Sequence, residues 1–369
     1  MWCRMYREGH RGLEENILQQ STTKTKETVH KQASITDVAR LAGVSVGTVS
    51  HALNSVGYVK QETKEKILRA AKELNYVPNR AGRILKTSQT KLVMLAIPDT
   101  SNEIYFGMIE GVQNEIKALG YSLLLYYTNG EMKGELHAVK MLQERVVDGL
   151  IMVHFSYNSV LLSEIERCSQ PVVLLGMCNH LWAEKGYGFD TVSIDVYSGI
   201  YAAVRHLVKI GHRKIGYLAG RKDVEVYRQR FEAYRDALEA SGIEYREQYV
   251  YWGDWTQMGG YSGGRTLYQM RERPTAICAS NDLQAIGCWE AVSELGGKIP
   301  KNIALTGLDN LNICKILGIT SFDMKENMMG TEAARYLMAR LNGSRVEYQN
   351  LYFRPELQIR SSSLYTSEA

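Results

Sequence analysis

Short apolar runs alternate with amphipathic helices over most of the chain after Lys91, and this alternation constrains the fold more than any other feature. Apolar strands joined by helices form parallel sheets with both faces covered. Roughly 270 residues of this pattern exceed one comfortable sheet, so we expect two α/β lobes with a ligand site between them, beyond the carboxyl ends of the strands. The predicted strands are Leu92–Ile97, Tyr121–Tyr127, Gly149–Val153, Pro171–Leu175, Lys214–Leu218, Thr275–Ala279 and Ile303–Thr306, and helices include Phe106–Leu119, Gly199–Ile210 and Tyr227–Ser241.

A different pattern, of short amphipathic helices, precedes Lys91. Ser34 with Asp37 three residues later is typical of a helix start, and Gly43 is typical of a helix end. Ser45 is suited to cap a second helix, and a third helix is predicted from Gln61 to Leu74. Two helices joined by such a tight turn have the anatomy of a helix-turn-helix. Its second helix would present Val46, Gly47, Ser50 and His51 to a DNA major groove.

The charge distribution agrees with a DNA-binding head. Residues 34–90 contain nine Lys and Arg residues and four acidic ones, whereas the whole chain has a net charge of only +4. A basic head on a mildly acidic body suits a protein that presents one end to a polyanion. A solvated charged surface would give the same charge balance, so charge alone leaves both interpretations open.

Several motifs in a fixed order resemble the LacI/GalR family of bacterial repressors over residues 34–362. The resemblance implies an all-α helix-turn-helix head and a hinge helix, joined to a two-lobed α/β sensor similar to type I periplasmic binding proteins. The matching motifs are Asp37-Val38-Ala39, Ala42-Gly43-Val44-Ser45, Thr48-Val49-Ser50, Asn54, Tyr76-x-Pro78-Asn79, Leu85, Gly211-His212-Arg213-Lys214-Ile215, Asn281-Asp282 and Gly307-Leu308-Asp309.

The resemblance divides the chain into four segments. Residues 1–33 are expected to be a disordered extension, 34–78 the DNA-binding domain, and 79–90 the hinge helix and linker. Residues 91–369 would form the ligand-sensing and dimerisation domain. One lobe would comprise about 91–193 and 323–353, and the other about 194–322 and 354–362.

By resemblance, the second helix reads operator DNA in the major groove and the hinge enters the minor groove. Val46, Gly47 and His51 occupy the reading positions, and Leu85 matches the wedge between base steps. His51 replaces a common Arg, so it either reads a base or touches phosphate. The full set of expected DNA contacts is Val46, Gly47, Thr48, Ser50, His51, Asn54, Asn79, Arg80, Arg83 and Leu85.

The candidate effector site is carried over only where motifs match. Asp99 is either a ligand contact or the cap of a strand end, and Arg228 is an alternative anchor to Arg230. Acidic, basic and amide groups together suit a ligand rich in hydroxyls, so a sugar or sugar derivative is expected, with a purine as the alternative. The expected effector contacts are Asp99, Asn102, Tyr105, Phe106, Arg230, Trp255, Asn281 and Asp309.

Other classes of protein fit the sequence less well. No catalytic set, phosphate loop or metal-ligand spacing stands out, which argues against a hydrolase, and no cofactor or metal is expected. No apolar run is long enough for a membrane span, and no secretory signal is visible, which argues against an exported solute-binding protein. The sequence therefore predicts a cytoplasmic, homodimeric transcription regulator, with double-stranded operator DNA and a small-molecule effector as its partners. A protein coregulator remains open.

Overall fold

The computed structural model describes residues 33–54, 58–77, 84, 89–154, 158–176, 188–221 and 225–364. The chain divides into two compact units, Met1–Lys86 and Thr87–Ala369. The predicted extension up to residue 32 lies outside the described residues. So do four expected DNA contacts, namely Asn79, Arg80, Arg83 and Leu85.

The first unit contains α1 (Ile35–Ala42), α2 (Val46–Asn54) and α3 (Gln61–Glu73). Ser34 and Asp37 form a reciprocal cap at the start of α1: the Asp37 N–H donates to Ser34 Oγ at 3.3 Å, and the Ser34 N–H donates to Asp37 Oδ2 at 3.0 Å. Gly43 ends the helix with a φ of 69°, a conformation that glycine adopts without strain. The predicted caps and the tight turn are confirmed.

A small apolar core holds these helices together. Val38 of α1, Val49 of α2 and Ile67 of α3 have no exposed surface. Ala39 of α1 is also buried and belongs to the same apolar cluster. The buried positions of α2 fix which face of that helix is left to solvent.

The second unit begins with a six-stranded sheet. Its strands are β1 (Leu92–Ile97), β2 (Ser122–Tyr127), β3 (Gly149–His154), β4 (Val172–Gly176), β5 (Asp190–Ile194) and β11 (Asn350–Phe353), in the order β11-β5-β4-β3-β1-β2. All neighbouring pairs are parallel. The connecting helices are α4 (Ile104–Lys117), α5 (Met132–Gln143) and α6 (Ser159–Glu166). Helix α12 (Glu326–Leu341) also packs on this sheet.

A four-stranded parallel sheet forms the second lobe, in the order β7-β6-β8-β9. Its strands are β6 (Ile215–Ala219), β7 (Val250–Trp252), β8 (Ala276–Ala279) and β9 (Ala304–Thr306). The helices of this part of the chain are α7 (Val196–Lys209), α8 (Glu225–Glu239), α9 (Gln257–Gln269), α10 (Asp282–Glu294) and α11 (Asn312–Leu317). The predicted fold class, a helical head and a two-lobed α/β unit with parallel sheets, is confirmed.

The chain returns to the first lobe late in the sequence. Strand β10 (Ser321–Asp323) pairs antiparallel with β12 (Glu356–Gln358), and α12 and β11 lie between them in sequence. Because β11 pairs with β5, the first sheet includes residues far apart in the chain. Lys325, just before α12, joins the two short strands through ion pairs with Asp323 at 3.0 Å and Glu356 at 2.8 Å.

Candidate functional site

The exposed face of α2 is the candidate DNA-reading surface. Val46 is 41% exposed, and Gly47 and His51 are exposed beside it, while Ser50 is half-buried. The opposite face is anchored by the buried Val49. The structure therefore presents the predicted reading residues to solvent on a helix whose orientation is fixed by the small core.

The start of α2 is held by its own side chains. The Thr48 N–H donates to Ser45 Oγ at 3.1 Å, and the two hydroxyl oxygens are 2.8 Å apart. The Thr48 hydroxyl therefore belongs to the helix cap, and the backbone N–H groups of this first turn are suited to a phosphate. Asn54 is the last residue of α2.

Four predicted effector residues lie at or near the carboxyl ends of the strands in the second lobe. Arg230, on α8, is only 1% exposed, and its guanidinium carbon lies 4.4 Å from the centre of the Trp255 ring. Its Nη1 atom donates to the carbonyl oxygen of Ser280, just past β8. The guanidinium group is thus buried, stacked on an aromatic face and oriented by a backbone carbonyl.

Asn281 contacts the backbone of Trp255 and is itself held by a second hydrogen bond. Its Oδ1 atom accepts the N–H of Gln284 at 2.9 Å and so caps α10, while its Nδ2 donates to the Trp255 carbonyl oxygen at 3.0 Å. The residue is 2% exposed. Both ends of the amide are therefore engaged within the protein, and Asn281 orients the loop that bears Trp255.

Asp309 follows β9 and has an unusual environment. Its side chain is buried, its Oδ1 atom has no hydrogen-bond partner among the described residues, and its backbone φ is 130°, which is strained for a residue other than glycine. Burial raises the pKa of Asp309 well above its ordinary value, while the charge of Arg230 acts in the opposite direction. Asp309 Oδ1 is thus one of the few buried polar atoms of the described residues that have no hydrogen-bond partner.

The predicted residues of the first lobe form a separate group after β1. Asp99 Oδ1 accepts the N–H and the hydroxyl of Ser101, each at 2.8 Å, and the N–H of Asn102 at 3.2 Å. Asn102 Oδ1 in turn accepts the Ile104 N–H at 3.1 Å. Tyr105 is buried, whereas Phe106 is 57% exposed. These bonds match the strand-end cap considered for Asp99, and Phe106 is exposed in the first turn of α4.

Sequence reasoning missed several polar residues around the cleft. Gln284 is fully buried, and its Nε2 donates to the carbonyl oxygens of Ala219 and Asp254 at 2.9 and 2.7 Å. Glu103 Oε2 accepts the N–H of Asn312 at 3.0 Å, which connects the first lobe to the start of α11. Polar residues directly after apolar strands were the available signal for Gln284, and nothing in the local sequence signals the partner of Glu103.

A cavity of about 500 Å³ lies between the lobes beside the Asp99 turn. Ser101 and Glu103 line it from the first lobe, and Trp289 and Ile313 are among the residues that line it from the second. Arg230, Trp255, Asn281 and Asp309 do not line this cavity, so it is distinct from the Arg230 group.

His212 is engaged by a hydrogen bond within the protein. His212 Nδ1 lies 2.9 Å from Thr275 Oγ1, joining the loops before β6 and β8, and burial lowers the pKa of His212. No group of three or more His, Cys, Asp or Glu residues there is arranged to hold a metal. None of the helices in these ranges combines the length and apolarity needed to cross a membrane.

Comparison with known proteins gives matches to both units. Residues 34–79 match the family model described as bacterial regulatory proteins, lacI family, and residues 204–363 match a periplasmic binding protein-like domain. The HTH-type transcriptional repressor PurR of Photobacterium profundum is 30% identical over 333 residues, covering 89% of this chain and 98% of the relative. PurR of Serratia proteamaculans is 31% identical, covering 89% and 96%.

Solved structures show the same fold. The Lac repressor dimer bound to operator and the anti-inducer ONPF is 24% identical with a TM-score of 0.80, covering 91% of this chain and 100% of that one. The complex of the transcriptional regulator CelR with cellobiose is 28% identical with a TM-score of 0.65, covering 89% and 99%. Both similarities extend over the DNA-binding unit and the two-lobed unit together.

Proposed function

Because the chain belongs to the LacI family of bacterial regulatory proteins, we propose that its head reads an operator and that a ligand in the cleft of the second unit controls this binding. The protein is a DNA-binding transcription repressor with an effector-binding domain. The observation that carries the proposal is the buried Arg230–Trp255 pair, together with the buried Asp309, whose Oδ1 atom has no hydrogen-bond partner among the described residues. A site prepared in this way, in a chain with a helix-turn-helix, is suited to sensing rather than to structural support.

Operator reading is assigned to the exposed face of α2. Val46 is suited to contact a thymine methyl group, Gly47 allows close approach of the backbone, and His51 is suited to donate to a base or a phosphate. Ser50, Thr48 and Asn54 complete the major-groove set. These contacts define the operator sequence only in part. His51 has fewer hydrogen-bond donors than the arginine common at this position, so the base opposite it is not fixed by this comparison.

The hinge forms the second part of the proposed DNA interface. Leu85 would insert between base steps in the minor groove, and Asn79, Arg80 and Arg83 would bind the backbone. Unstacking costs a few kcal/mol, which the larger protein contact on the bent duplex offsets. This assignment rests on the family motif alone, since these residues lie outside the described ranges.

The effector is assigned to a purine or a sugar. PurR repressors are among the relatives that match over 89% of the chain, which supports the purine alternative. The CelR complex contains cellobiose, which favours a sugar. In either case Arg230, Trp255 and Asp309 form one wall, Asn281 orients it, and Phe106, Tyr105, Asn102 and Asp99 form the opposite side.

A homodimer is the proposed assembly. Leu125 and Tyr127 are exposed on β2, which is the edge strand of the first sheet, and Ile313 and Ile316 are exposed on α11. Exposed apolar side chains on an edge strand are a hazard to a monomer unless a partner covers them. Two copies of the head would then read a near-palindromic operator.

The protein is proposed to act in the cytoplasm, where the operator is, and not as an enzyme.

The proposal is tested by selecting operator sequences from random duplex DNA with the full-length protein. Recovery of a two-fold symmetric site, with a Kd at least a thousandfold below that for unrelated duplex, is expected. Adding purines and sugars to the selected complex then identifies the effector and the sign of its effect. Equal affinity for all duplexes would contradict the proposed function.

A further inference from the structure

The loop after β9, residues 307–312, holds Asp309 in a backbone conformation that residues with side chains rarely adopt. Asp309 has a φ of 130°, and Asn310, which follows it, has a φ of 57°. Strain of the kind seen at Asp309 persists only where the surrounding contacts enforce it. The hydrogen bonds of this loop therefore indicate what keeps Asp309 in its position.

The Ser321 hydroxyl group makes two of these hydrogen bonds. It accepts the Asn310 N–H at 3.0 Å and donates to Asp282 Oδ1 at 2.6 Å. Ser321 is the first residue of β10 and has no exposed surface. A buried hydroxyl that both accepts and donates fixes its two partners relative to each other, because its loss would leave each of them without this bond.

Asp282 continues the same network on both sides of Asp309. Its Oδ2 atom accepts the Leu311 N–H at 2.8 Å, and its own N–H donates to the Leu308 carbonyl oxygen at 2.8 Å. Asp309 Oδ1, in contrast, has no hydrogen-bond partner among the described residues. The backbone around Asp309 is thus bonded to Asp282 and Ser321, while an oxygen of its carboxyl group is left for another donor.

Other groups hold the ends of the loop. Its first residue donates its N–H to the Thr320 carbonyl oxygen at 2.8 Å, and its last residue donates to Glu103 Oε2 at 3.0 Å. The side chain of Asn310 accepts a hydrogen bond from Arg360. The Ser321 hydroxyl differs from these groups because it bonds the backbone directly after the strained residue and also orients the carboxylate that holds the rest of the loop.

We propose that Ser321 is a positioning residue of the effector site, whose hydroxyl group holds Asp309 where its carboxyl group can bind the effector. This inference rests on the proposed function, because it assumes that the effector binds to Asp309. Ser321 acts on the backbone of the loop and does not itself contact the effector. A contact group that is held in place binds with less loss of conformational freedom, so loss of the hydroxyl should weaken the effector through Asp309.

Hydrogen exchange of the full-length protein, followed by mass spectrometry, tests the position of the loop without a ligand. Ser321→Ala is expected to raise the exchange rate in residues 307–312 by at least about tenfold. The physical reason is that the Asn310 N–H loses its acceptor and Asp282 loses one of its donors.

Ser362→Ala is the matched control. Ser362 is 2% exposed, and its hydroxyl accepts the Thr320 N–H at 2.8 Å and donates to the Leu305 carbonyl oxygen at 2.6 Å. The control therefore also loses two hydrogen bonds of a buried serine, but neither of them involves residues 307–312. Exchange in these residues should stay within about twofold of the wild-type rate.

Effector binding tests whether Ser321 acts through Asp309. Adenine, guanine, D-ribose and cellobiose are screened by thermal shift, and the strongest binder is titrated by calorimetry. Ser321→Ala is expected to weaken this probe about tenfold, and Ser362→Ala less than about twofold. In a protein that already carries Asp309→Ala, adding Ser321→Ala should change Kd by less than about twofold, because the group to be positioned is absent.

Several results would overturn the inference. They are an unchanged exchange rate in Ser321→Ala, an equal acceleration by Ser362→Ala, additive effects of Ser321→Ala and Asp309→Ala, and wild-type affinity of Asp309→Ala for the probe. If none of the four probes binds, the exchange comparison of the two serine variants decides alone.

The operator experiment keeps the two proposals apart. Control of operator binding by a probe whose affinity does not depend on Asp309 would leave the proposed function standing and overturn this inference. Failure to bind any operator would contradict the proposed function, while the exchange comparison would still show whether Ser321 holds the loop.

Discussion

The Trp255 residue is held on two sides, with its ring 4.4 Å from the Arg230 guanidinium carbon and its carbonyl oxygen 3.0 Å from Asn281 Nδ2. These two contacts connect a helix that follows β6 with a residue that follows β8. The Arg230–Trp255–Asn281 group is therefore held by contacts within the protein, which would lower the ordering cost of the proposed effector binding.

Replacing Arg230 with Lys should separate sensing from DNA binding. Lysine loses the planar stack on Trp255 and its fixed bond to Ser280, so effector affinity should fall by about 1.5–3 kcal/mol, or ten- to a hundredfold. Operator affinity without effector should stay within twofold. Fluorescence anisotropy of labelled operator, titrated with the effector found by screening, measures both quantities.

Arg228→Lys is the matched control for that measurement. Arg228 is exposed and lies 3.8 Å from Glu232 in a surface ion pair, which contributes little energy. Its replacement should leave the effector response unchanged. If Arg228→Lys weakens the response and Arg230→Lys does not, the anchor has been assigned to the wrong arginine.

Introducing charge on the exposed apolar surfaces should dissociate the proposed dimer. Tyr127→Glu on the edge strand combined with Ile316→Glu on α11 would bury two carboxylates if both surfaces form the interface, so a monomer is expected. Val346→Glu, at a side chain that is 66% exposed, should remain dimeric. Sedimentation equilibrium distinguishes the two states, and a dimeric double variant would place the interface elsewhere.

Most of the parallel strands could be predicted from sequence because they are continuous apolar runs. Strand β5 was missed because its sequence, Asp190–Ile194, contains polar residues although every position is buried. The buried Asp190 is compensated by Arg340 of α12, whose Nε and Nη2 atoms donate to its carboxylate at 2.8 Å each. A pattern of neighbouring residues contains no information about a partner so distant in the chain.

The same limit applies to the cleft. The family motifs predicted Arg230, Asn281 and Asp309, and Trp255 was expected as an aromatic residue that could stack on a ligand; the structure brings Arg230, Trp255 and Asn281 into contact. The sequence motifs could not predict that both ends of the Asn281 amide are hydrogen-bonded within the protein. They also could not predict that Glu326 lies against Gly107. Both facts depend on contacts between separate elements, which the spacing of residues within one element does not encode.

His51 offers a test of base reading against phosphate binding. If His51 reads a base, His51→Ala should weaken the selected operator by about 1–3 kcal/mol and leave unrelated duplex unaffected. If it binds phosphate, both affinities should fall together and the dependence of log K on log salt should become shallower by about one. Anisotropy titrations between 50 and 200 mM salt separate these outcomes, with Ser50→Ala as a neighbouring comparison.

Leu85→Ala tests the hinge assignment. Loss of the proposed wedge should weaken operator binding strongly, by more than tenfold, because the bent duplex would no longer be stabilised by the inserted side chain. Calorimetric binding of the effector should be unchanged. Equal operator affinity of the variant and the wild-type protein would exclude a wedge, and a reduced effector affinity would indicate a general folding defect instead.

Glu326 should make stability depend on pH in a defined direction. Its pKa is raised in the folded protein from the ordinary value of 4.5 to about 7, so its contribution to stability is fully present below pH 4.5 and is lost as the pH rises to about 7. Glu326→Gln removes this loss and should stabilise the protein by about 2–3 kcal/mol at pH 8, with little effect at pH 4.5. Melting temperatures of both proteins at the two pH values provide the measurement.

The control is Glu332→Gln on the same helix, which removes a surface ion pair with Arg335 and should lower stability slightly at pH 8. A Glu326→Gln protein that melts below the wild type at pH 8 would show that the carboxylate is compensated in the folded state.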